Sequence, residues 1–440
     1  MVKRNRRVVE NDGPKAITIQ AGSLPVVYEH LDYLRSVIIG AWVQVGSRYE
    51  RRKEYGYSHF VEHMLFKGTK KGKIKRNAHD IAASLESLGG ELNAFTSREY
   101  SCYYARAASR HFSTAMEVLG DVVLRSQFPA HEYEKEKSVV LEEIRMYEDS
   151  PEELSHELLQ STMFSEALGH PIVGSAKIIG EAKRKDVLDY YKRMYQPGRM
   201  FLTVLGNVPI EELKAELKHF APIVNGKAHR KARISKTKVL GGRRLVRKPI
   251  EQLHLCFGVK GLPMDHPDRY TLHLINTYLG AGMSSRLFQE VREKRGLAYS
   301  VYSFIQSFHD TGLWGFYCAT SPNKGEDVRK ILEAELEILQ KKGIAAKTIK
   351  RLKEQMVGGL LLGLEKTSFR MTRLAVGRLF FGNVVPVDQV IAMIDSVTVA
   401  DVKRVARELL KDGFHTSVAV GRVPEGAEEA ILGGPYKEGR

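Results

Sequence analysis

The chain has 440 residues, of which 43% are hydrophobic and 27% are charged, with a net charge of +16. Typical domains contain about 100–150 residues, so we expect more than one domain. No apolar run approaches the roughly 18 residues that a membrane span requires, and the composition is that of a folded globular protein. These values exclude a disordered chain and an integral membrane protein.

Cysteine content and the first residues bear on the compartment. Cys102, Cys256 and Cys318 are far apart and form no Cys-x-x-Cys pair, which argues against a disulfide framework and a cysteine-based zinc site. The first twenty residues lack the apolar segment of a signal peptide, and Glu10 and Asp12 argue against a transit peptide. We therefore expect a cytoplasmic protein that does not bind membranes.

Strand and helix patterns alternate along the first half of the chain. Residues 36–45 are apolar and β-branched, which predicts a buried strand. A helix is predicted to begin after Gly56, and a second, amphipathic helix to cover residues 77–88. Residues 91–104 predict one half-exposed strand, and residues 130–146 predict a long helix.

A strongly basic segment lies near the middle of the chain. Ten Lys and Arg residues occur between Lys227 and Lys248 without a single acidic residue, and Pro and Gly turn signals flank them. A nucleic-acid-binding arm is one interpretation, but no aromatic residues for base stacking are interleaved with the charges. We favour a solvated linker and expect no nucleic-acid partner.

The two halves of the chain share a repeated pattern. The segment from Asp186 to Pro209 recurs from Asp401 to Pro424, with Asp, Val, Gly, Val and Pro at an offset of 215 residues. Each copy predicts a helix, a turn and a short strand. An offset of about half the chain indicates a duplicated domain.

These patterns predict an α+β fold of two homologous domains, each a mixed or antiparallel β-sheet flanked by α-helices. We place the N-terminal domain at residues 1–222 and the homologous C-terminal domain at residues 246–440. The basic linker, residues 223–245, joins them.

His59, Glu62 and His63 form the pattern H-x-x-E-H on the first predicted helix. Residues four apart lie on one helix face, so the two imidazoles can bind one metal ion. This order is the inverted zincin motif, in which the intervening Glu acts on the metal-bound water. A solvated helix is the other interpretation, but the neighbouring Phe60 and Met64 leave little room for a fully exposed face. We therefore favour a zinc site.

A third ligand is expected, because catalytic zinc usually has three protein ligands and His₂Glu is an established set. The long predicted helix offers Glu136 and Glu143, which lie two turns apart on one face. Glu142 points about 100° away from Glu143 and is less favoured. The residues alone leave all three open. The apolar residues expected to anchor this helix are Val139, Val140, Ile144 and Met146.

Three longer motifs resemble those of the inverted-zincin peptidases of the pitrilysin and mitochondrial-processing-peptidase family. They cover residues 59–69, 88–99 and 139–144, and the similarity extends over nearly the whole chain, including residues 46–48 and 291–303. The length resembles the short, two-domain members, which pair as dimers around an enclosed chamber.

The resemblance implies that His59, His63 and Glu143 bind one zinc ion per chain. Glu62 would then be the general base that activates the zinc-bound water. Glu136 matches a supporting acidic position of the family, so we expect it to orient a ligand or its helix.

The second half has no H-x-x-E-H pattern, so its domain is not expected to bind zinc. Arg292 and Tyr299 match the Arg and Tyr that C-terminal domains of this family bring over the substrate. There they would hydrogen-bond the substrate carbonyl and stabilise the oxyanion. Without the resemblance, a capping role for Arg292 and a packing role for Tyr299 would be favoured.

Four residues resemble the edge strand of the family, to which an extended substrate adds as a further β-strand. They are Asn93, Ala94, Phe95 and Thr96. Backbone pairing of this kind is largely indifferent to side chains, so we expect peptides and unfolded segments as substrates.

The resemblance thus implies a zinc-dependent endopeptidase that cleaves peptides or extended, unfolded segments inside a chamber formed by a dimer. The alternative is a non-catalytic peptide-binding or assembly subunit, whose signature would be a lost ligand or base, and none is lost. One chain carries both the zinc motif and the Arg–Tyr pair, which favours a homodimer over a heterodimer with a related subunit. Basic substrates require that the positive charge lies away from the chamber.

Overall fold

A computed structural model describes residues 16–229, 234 and 236–438, without the side chains of residues 166 and 167. Fourteen strands in this part of the chain form two six-stranded sheets and one two-stranded hairpin. Their bounds are β1 Ile17–Ala21, β2 Leu24–His30, β3 Ser36–Val43, β4 Gly68–Lys71, β5 Ile74–Asn77, β6 Glu91–Thr96, β7 Ser101–Ala108, β8 Met200–Gly206, β9 Gly242–Val246, β10 Leu253–Gly261, β11 Ala298–Ser307, β12 Gly312–Thr320, β13 Thr416–Val420 and β14 Lys437–Glu438.

Helices pack on both faces of the sheets. Their bounds are α1 Tyr57–Leu65, α2 Ala78–Glu86, α3 Phe112–Arg125, α4 Ala130–Asp149, α5 Pro151–Met163, α6 Glu166–Gly169, α7 Ala176–Glu181, α8 Arg184–Met194, α9 Ile210–Glu216, α10 Ala221–Val224, α11 Arg269–Gly280, α12 Gly325–Lys342, α13 Ala346–Gly363, α14 Thr367–Phe381, α15 Val387–Ser396, α16 Val399–Leu410 and α17 Glu428–Leu432. A π-helical turn covers Phe288–Glu293. Among the described helices, none is long and apolar enough to cross a membrane.

The two large sheets repeat one topology. The first has the strand order β1-β2-β8-β3-β7-β6, and the second has β14-β9-β13-β10-β12-β11. In each sheet the second and third strands of this order are parallel, and the later neighbours are antiparallel. Only the outermost pair differs, because β1 is antiparallel to β2 whereas β14 is parallel to β9. The shared order confirms the predicted α+β fold with mixed sheets.

Equivalent glycines lie at the ends of the corresponding strands β8 and β13. The φ angle is 137° at Gly206 and 134° at Gly421. A Cβ atom would lie 2.3 Å from the carbonyl oxygen of Ser36 at the first position and 2.6 Å from that of Gln252 at the second. Both the backbone angle and the close approach require glycine, which explains its recurrence at the offset of 215 residues.

Each half covers the sheet of the other half with one helix. Leu159 and Met163 of α5 pack in a core with Val418 and other residues of the second sheet. Leu374 of α14 packs in a core with Trp42 of the first sheet. The strands of the first sheet end at Gly206 and those of the second sheet begin at Gly242, but the cores that cover the two sheets include residues of both halves.

The predicted linker, residues 223–245, is partly regular structure. Helix α10 ends at Val224, and β9 begins at Gly242 because its backbone pairs with β13. Residues 230–233 and 235, with three of the basic side chains, lie outside the described residues. Residues 1–15, which bear on the expected absence of a targeting peptide, lie outside them as well.

The single strand predicted over residues 91–104 is wrong. Strands β6 and β7 form a hairpin whose turn covers residues 97–100. Oγ of Ser97 accepts the backbone N–H of Tyr100 at 3.2 Å, and the backbone N–H of Ser97 donates to the Tyr100 carbonyl at 2.8 Å. A serine side chain thus replaces the Gly or Pro signal that usually marks a turn.

Candidate metal centre

The start of α1, which carries the H-x-x-E-H pattern, is fixed by a buried carboxylate. Glu50 has no exposed side-chain surface and accepts the backbone N–H groups of Gly56 at 2.8 Å and Ser58 at 2.6 Å. A negative charge at a helix N-terminus is stabilising. Sequence reasoning missed Glu50, because it lies seven residues before the first residue of α1, in a charged loop without a capping pattern.

Helix α1 packs against α4 through aromatic rings. Phe60 stacks on Tyr133, with ring centroids 4.9 Å apart and an interplanar angle of 26°. Val139 and Met146, which were expected to anchor α4, are 48% and 65% exposed. This expectation is wrong for both residues, because they lie outside the buried face of α4. The buried residues of α4 are Tyr133, Glu136, Val140 and Ile144.

The packing brings the three predicted ligands together. Nε2 of His59 and Nε2 of His63 lie 3.3 Å apart. Oε1 of Glu143 lies 3.5 Å from Nε2 of His59, and its Oε2 lies 3.4 Å from Nε2 of His63. Ligand atoms about 2.1 Å from a tetrahedral zinc ion lie about 3.4 Å from one another. The three side chains therefore fit a zinc ion, and no other such group of metal-ligating side chains occurs among the described residues.

The other two candidate glutamates have different positions. Oε2 of Glu136 lies 3.1 Å from Nδ1 of His63. Because an ionised carboxylate only accepts hydrogen bonds, Nδ1 of His63 carries a proton, which leaves Nε2 as the nitrogen that can bind a metal ion once it has no proton of its own. Glu142 is exposed and pairs with Arg145 at 2.6 Å. The geometry thus favours Glu143 as the third ligand and places Glu136 behind His63.

Carboxylates determine the charge of this cluster. Burial lowers the pKa of His63, but hydrogen bonds to Glu136 and Glu143 outweigh burial and raise this pKa to about 9. Hydrogen bonds from His59 and His63 hold the pKa of Glu143 well below its usual range. Burial raises the pKa of Glu136, and the hydrogen bonds from His63 and Lys67 lower it below the ordinary value. Two ionised carboxylates therefore favour a bound cation.

Glu62, the predicted general base, lies on α1, and its carboxylate contacts the edge strand β6. Oγ1 of Thr96 donates a hydrogen bond to Oε2 of Glu62 at 2.5 Å. The prediction for Thr96 was substrate pairing through the backbone. Its side chain has a separate contact, with the base.

Strand β6 is the outermost strand of the first sheet and pairs only with β7 in the described part of the chain. Asn93 is exposed, and its Oδ1 accepts the N–H of Ala94 at 2.8 Å. The ring of Phe95 packs edge-on against Trp42, with centroids 5.8 Å apart, on the opposite sheet face from Thr96. The outer edge of β6 can pair with a further strand.

Arg292 and Tyr299 contact each other. Nη1 of Arg292 donates to the carbonyl of Tyr299 at 3.0 Å, and the guanidinium carbon lies 4.3 Å from the centre of the Tyr299 ring. Tyr299 is 77% exposed. Within the described residues, no hydrogen bond, ion pair or ring contact joins this pair to Glu62 or to the three candidate ligands. The structure brings the pair together, but not into contact with the candidate metal centre.

Comparisons with known proteins identify the family. The model of the insulinase family, peptidase family M16, matches residues 25–176, and the model of the peptidase M16 inactive domain matches residues 181–356. A protein of Bacillus subtilis, named an uncharacterized zinc protease, YmxG, is 38% identical over 91% of this chain and 96% of its own length. The chain belongs to peptidase family M16.

A further relative agrees with this membership, and a solved structure shares the fold. A Mycobacterium tuberculosis protein, also named an uncharacterized zinc protease, Rv2782c, is 38% identical over 92% of each chain. The crystal structure of a protease from Helicobacter pylori has a TM-score of 0.84 at 24% identity, with 93% of this chain and 100% of that chain covered. Membership confirms the resemblance to the two-domain pitrilysin type and supports a protease.

The segment next to the metal centre of this M16 chain is acidic. Residues 142–157, at the end of α4 and the start of α5, contain seven acidic residues and one basic residue. One of them, Glu157, accepts hydrogen bonds from Arg98 at 3.1 Å. Burial, and then the charges of Glu143 and Glu153, raise the pKa of Tyr147 in the same segment. The positive charge of the chain is therefore not located here.

A buried ion-pair network that sequence reasoning missed joins the two halves of this M16 chain beside β6. The side chain of Arg48 has no exposed surface and binds Glu99 at 2.5 Å and Asp310 at 2.7 Å. It also donates to Oγ1 of Thr237 at 2.8 Å. Arg48 lies in the motif of residues 46–48, but nothing in the sequence indicates a partner 262 residues away.

Proposed function

We propose that the chain is a zinc-dependent endopeptidase with one zinc ion per chain. The observation that carries this proposal is the convergence of His59, His63 and Glu143, whose ligand atoms lie 3.3–3.5 Å apart. Glu62 lies on the same helix as the two histidines. Relatives named zinc proteases support the same activity. The second half matches a model described as an inactive domain, so we assign catalysis to the N-terminal domain.

The side chains of the site have distinct roles in peptide hydrolysis. Zinc, when bound, supplies a Lewis acid that polarises the scissile carbonyl and lowers the pKa of water toward neutrality. His59 and His63 would hold it through Nε2, and Glu143 would hold it through the carboxylate. Glu62 takes a proton from the attacking water and passes it to the leaving amine. Glu136 keeps the proton on Nδ1 of His63.

The proposed substrates are peptides and extended, unfolded segments. The edge of β6 lies beside Glu62, where a substrate strand can pair with its backbone. Folded proteins have few free segments that can add to an edge in this way. The acidic segment, residues 142–157, favours substrates with basic residues near the cleaved bond.

The proposed active form is a homodimer that encloses the substrate. Arg292 and the exposed Tyr299 contact no residue of the candidate metal centre within the described part of their own chain. In a two-fold dimer, the pair of one copy can face the metal centre of the other. There the guanidinium and the phenol would donate hydrogen bonds to the substrate carbonyl as it becomes an oxyanion. A heterodimer with a related subunit would offer the same geometry, but this chain already carries both parts.

The proposed location is the cytoplasm. Cys102, Cys256 and Cys318 are free and buried. Free thiols are typical of a reducing compartment. Fractionation of cells that produce the protein tests this location.

Cleavage of a quenched fluorescent peptide library, with zinc quantified in the same sample, tests the proposed activity. Wild type should contain about one zinc ion per chain and cleave peptides, and Glu62→Gln should keep zinc while losing at least about a hundredfold in rate. Glu142→Gln, an exposed position on the metal-site helix, should retain both properties. Zinc without cleavage in wild type would favour a non-catalytic peptide-binding or assembly subunit. A chain without zinc would refute the site.

A further inference from the structure

The Glu62 carboxylate has one hydrogen-bond donor among the residues that the structure describes. Oγ1 of Thr96 donates to Oε2 of Glu62 at 2.5 Å, a distance typical of a hydroxyl bound to an ionised carboxylate. No ion pair reaches Glu62 in the same part of the chain. One carboxylate oxygen is thus held, while Oε1 is left to accept a proton.

The hydroxyl of Thr96 is itself held in place by the hairpin. Thr96 lies directly opposite Ser101 in the register of β6 and β7. Oγ of Ser101, which is 1% exposed, lies 3.4 Å from Oγ1 of Thr96 and 2.9 Å from the carbonyl of Val45. A side chain branched at Cβ has few χ1 rotamers. The strand, and not a substrate, therefore sets the direction of this hydroxyl.

Two buried tyrosines lie near Glu62 without donating to it. The hydroxyl oxygens of Tyr103 and Tyr195 are 2.6 Å apart, so the two phenols satisfy each other. Burial raises the pKa of both, and the charge of Glu62 adds to this effect. Neither phenol hydrogen-bonds Glu62 in the described structure. Thr96 is thus the side chain that can fix the orientation of the carboxylate.

We propose that Thr96 is a positioning residue that orients Glu62 for proton transfer. This inference rests on the proposed function of Glu62 as the general base. It assigns to the Thr96 side chain a role separate from substrate pairing, for which its backbone suffices. A base held by one oxygen keeps the other within reach of water, and misplacement of about 1 Å can cost about a hundredfold in rate.

Two substitutions at Thr96 separate positioning from packing. Thr96→Val keeps the shape and removes the hydroxyl, so kcat should fall by about tenfold to a hundredfold while KM changes by less than about twofold. Thr96→Ser restores the hydroxyl and should restore most of kcat. Thr203→Val is the matched control, because this buried strand threonine binds Trp42 at 2.8 Å and lies outside the site. It should lower thermal stability without lowering kcat.

Crystal structures of the zinc-free proteins give a readout that does not depend on turnover. Glu62 should occupy one rotamer in wild type and in Thr96→Ser, and several in Thr96→Val. An unchanged rotamer in Thr96→Val, or an unchanged kcat, would overturn the inference. So would a raised KM with unchanged kcat, which would show a substrate contact. A shifted rotamer in a chain whose wild type cleaves nothing would support positioning and refute only the proposed function.

Discussion

Nη2 of Arg48 lies 2.7 and 2.8 Å from the two carboxylate oxygens of Asp310, although the residues belong to different halves of the chain. The same guanidinium binds Glu99, which follows β6 in the hairpin turn. Burial raises the pKa of Glu99, although the charge of Arg48 opposes this effect. The orientation of the two halves is thereby linked to the strand beside the candidate active site.

Removal of Arg48 should destabilise the protein strongly. Arg48→Met leaves the buried carboxylate of Glu99 without its ion-pair partner. Breaking a buried ion pair lowers the free energy of unfolding by about 3–5 kcal/mol. Urea unfolding monitored by tryptophan fluorescence measures this change. Trp42 reports on the first sheet and Trp314 on the second.

An exposed ion pair provides the control for this substitution. Arg404 binds Asp268 at 2.6 Å, but its side chain is 50% exposed. Arg404→Met should therefore cost no more than about 1 kcal/mol. Equal effects of the two substitutions would contradict a structural role for the buried network.

The three glutamates of α4 should differ in their effect on zinc. Glu143→Gln should abolish stoichiometric zinc, because it removes a ligand. Glu136→Gln should weaken zinc binding by about tenfold to a hundredfold, because it frees the ring of His63. Glu142→Gln should bind zinc like wild type, since this residue pairs with Arg145 at the surface. Competition with a chromophoric chelator ranks the three variants, and a different order would contradict the ligand assignment.

Zinc affinity should rise with pH. The pKa of His63 is raised from 6.5 to about 9, so its proton stabilises the zinc-free protein fully below about pH 6.5, and this stabilisation is lost as the pH rises through about 9. Zinc must displace this proton, so its apparent affinity should increase about tenfold per pH unit between about pH 7 and 9, and then level off. The pKa of Glu143 is lowered, so Glu143 adds nothing in this window. Chelator competition across the range measures the slope, and a flat profile would contradict it.

Basic peptides should be better substrates than acidic ones of the same length. Two peptides that differ only by Lys or Glu beside the cleaved bond should differ in kcat/KM by about tenfold at low salt, because residues 142–157 are acidic. The difference should shrink as the salt concentration rises from about 0.05 M to about 0.5 M. A Gln peptide should lie between them at low salt. A preference for the Glu peptide would place positive charge at the site.

Mixing two inactive variants should restore activity if the dimer shares its parts. Equimolar Glu62→Gln and Arg292→Ala chains should form mixed dimers with one complete site, and recover about a quarter of wild-type activity. Glu62→Gln mixed with Glu143→Gln should recover none, because both defects lie in the same centre. Absence of recovery in the first mixture would show that the two parts do not combine across chains.

Local spacing predicted the part of the site that lies on one helix. His59, Glu62 and His63 follow from the positions on α1 alone, and the structure places them as the helical period requires. Spacing did not separate Glu143 from Glu142, because that choice depends on which side of α4 faces α1. A long-range contact, the stack of Phe60 on Tyr133, decides it.

Other features had no local signal. The contact of Thr96 with Glu62 crosses from a strand to a helix, and the partner of Arg48 lies in a distant hairpin. Glu50 binds the start of α1 from an irregular loop. Such contacts arise from the tertiary arrangement of strands, helices and loops, which neither periodicity nor turn patterns encode. The fold was predictable because it rests on strand patterns and on a repeat.

Helix α5 of the first half covers the second sheet, and α14 of the second half covers the first. This arrangement has a consequence for synthesis of the protein. Strand β8, the last strand of the first sheet to be synthesised, ends at Gly206. The helix that covers the outer face of this sheet, α14, begins only at Thr367. Until the ribosome has made α14, the apolar residues Trp42 and Phe201 lack their cover, and such nascent chains are prone to aggregation. A gene divided within the linker would therefore encode two polypeptides, and each would need the other to finish folding.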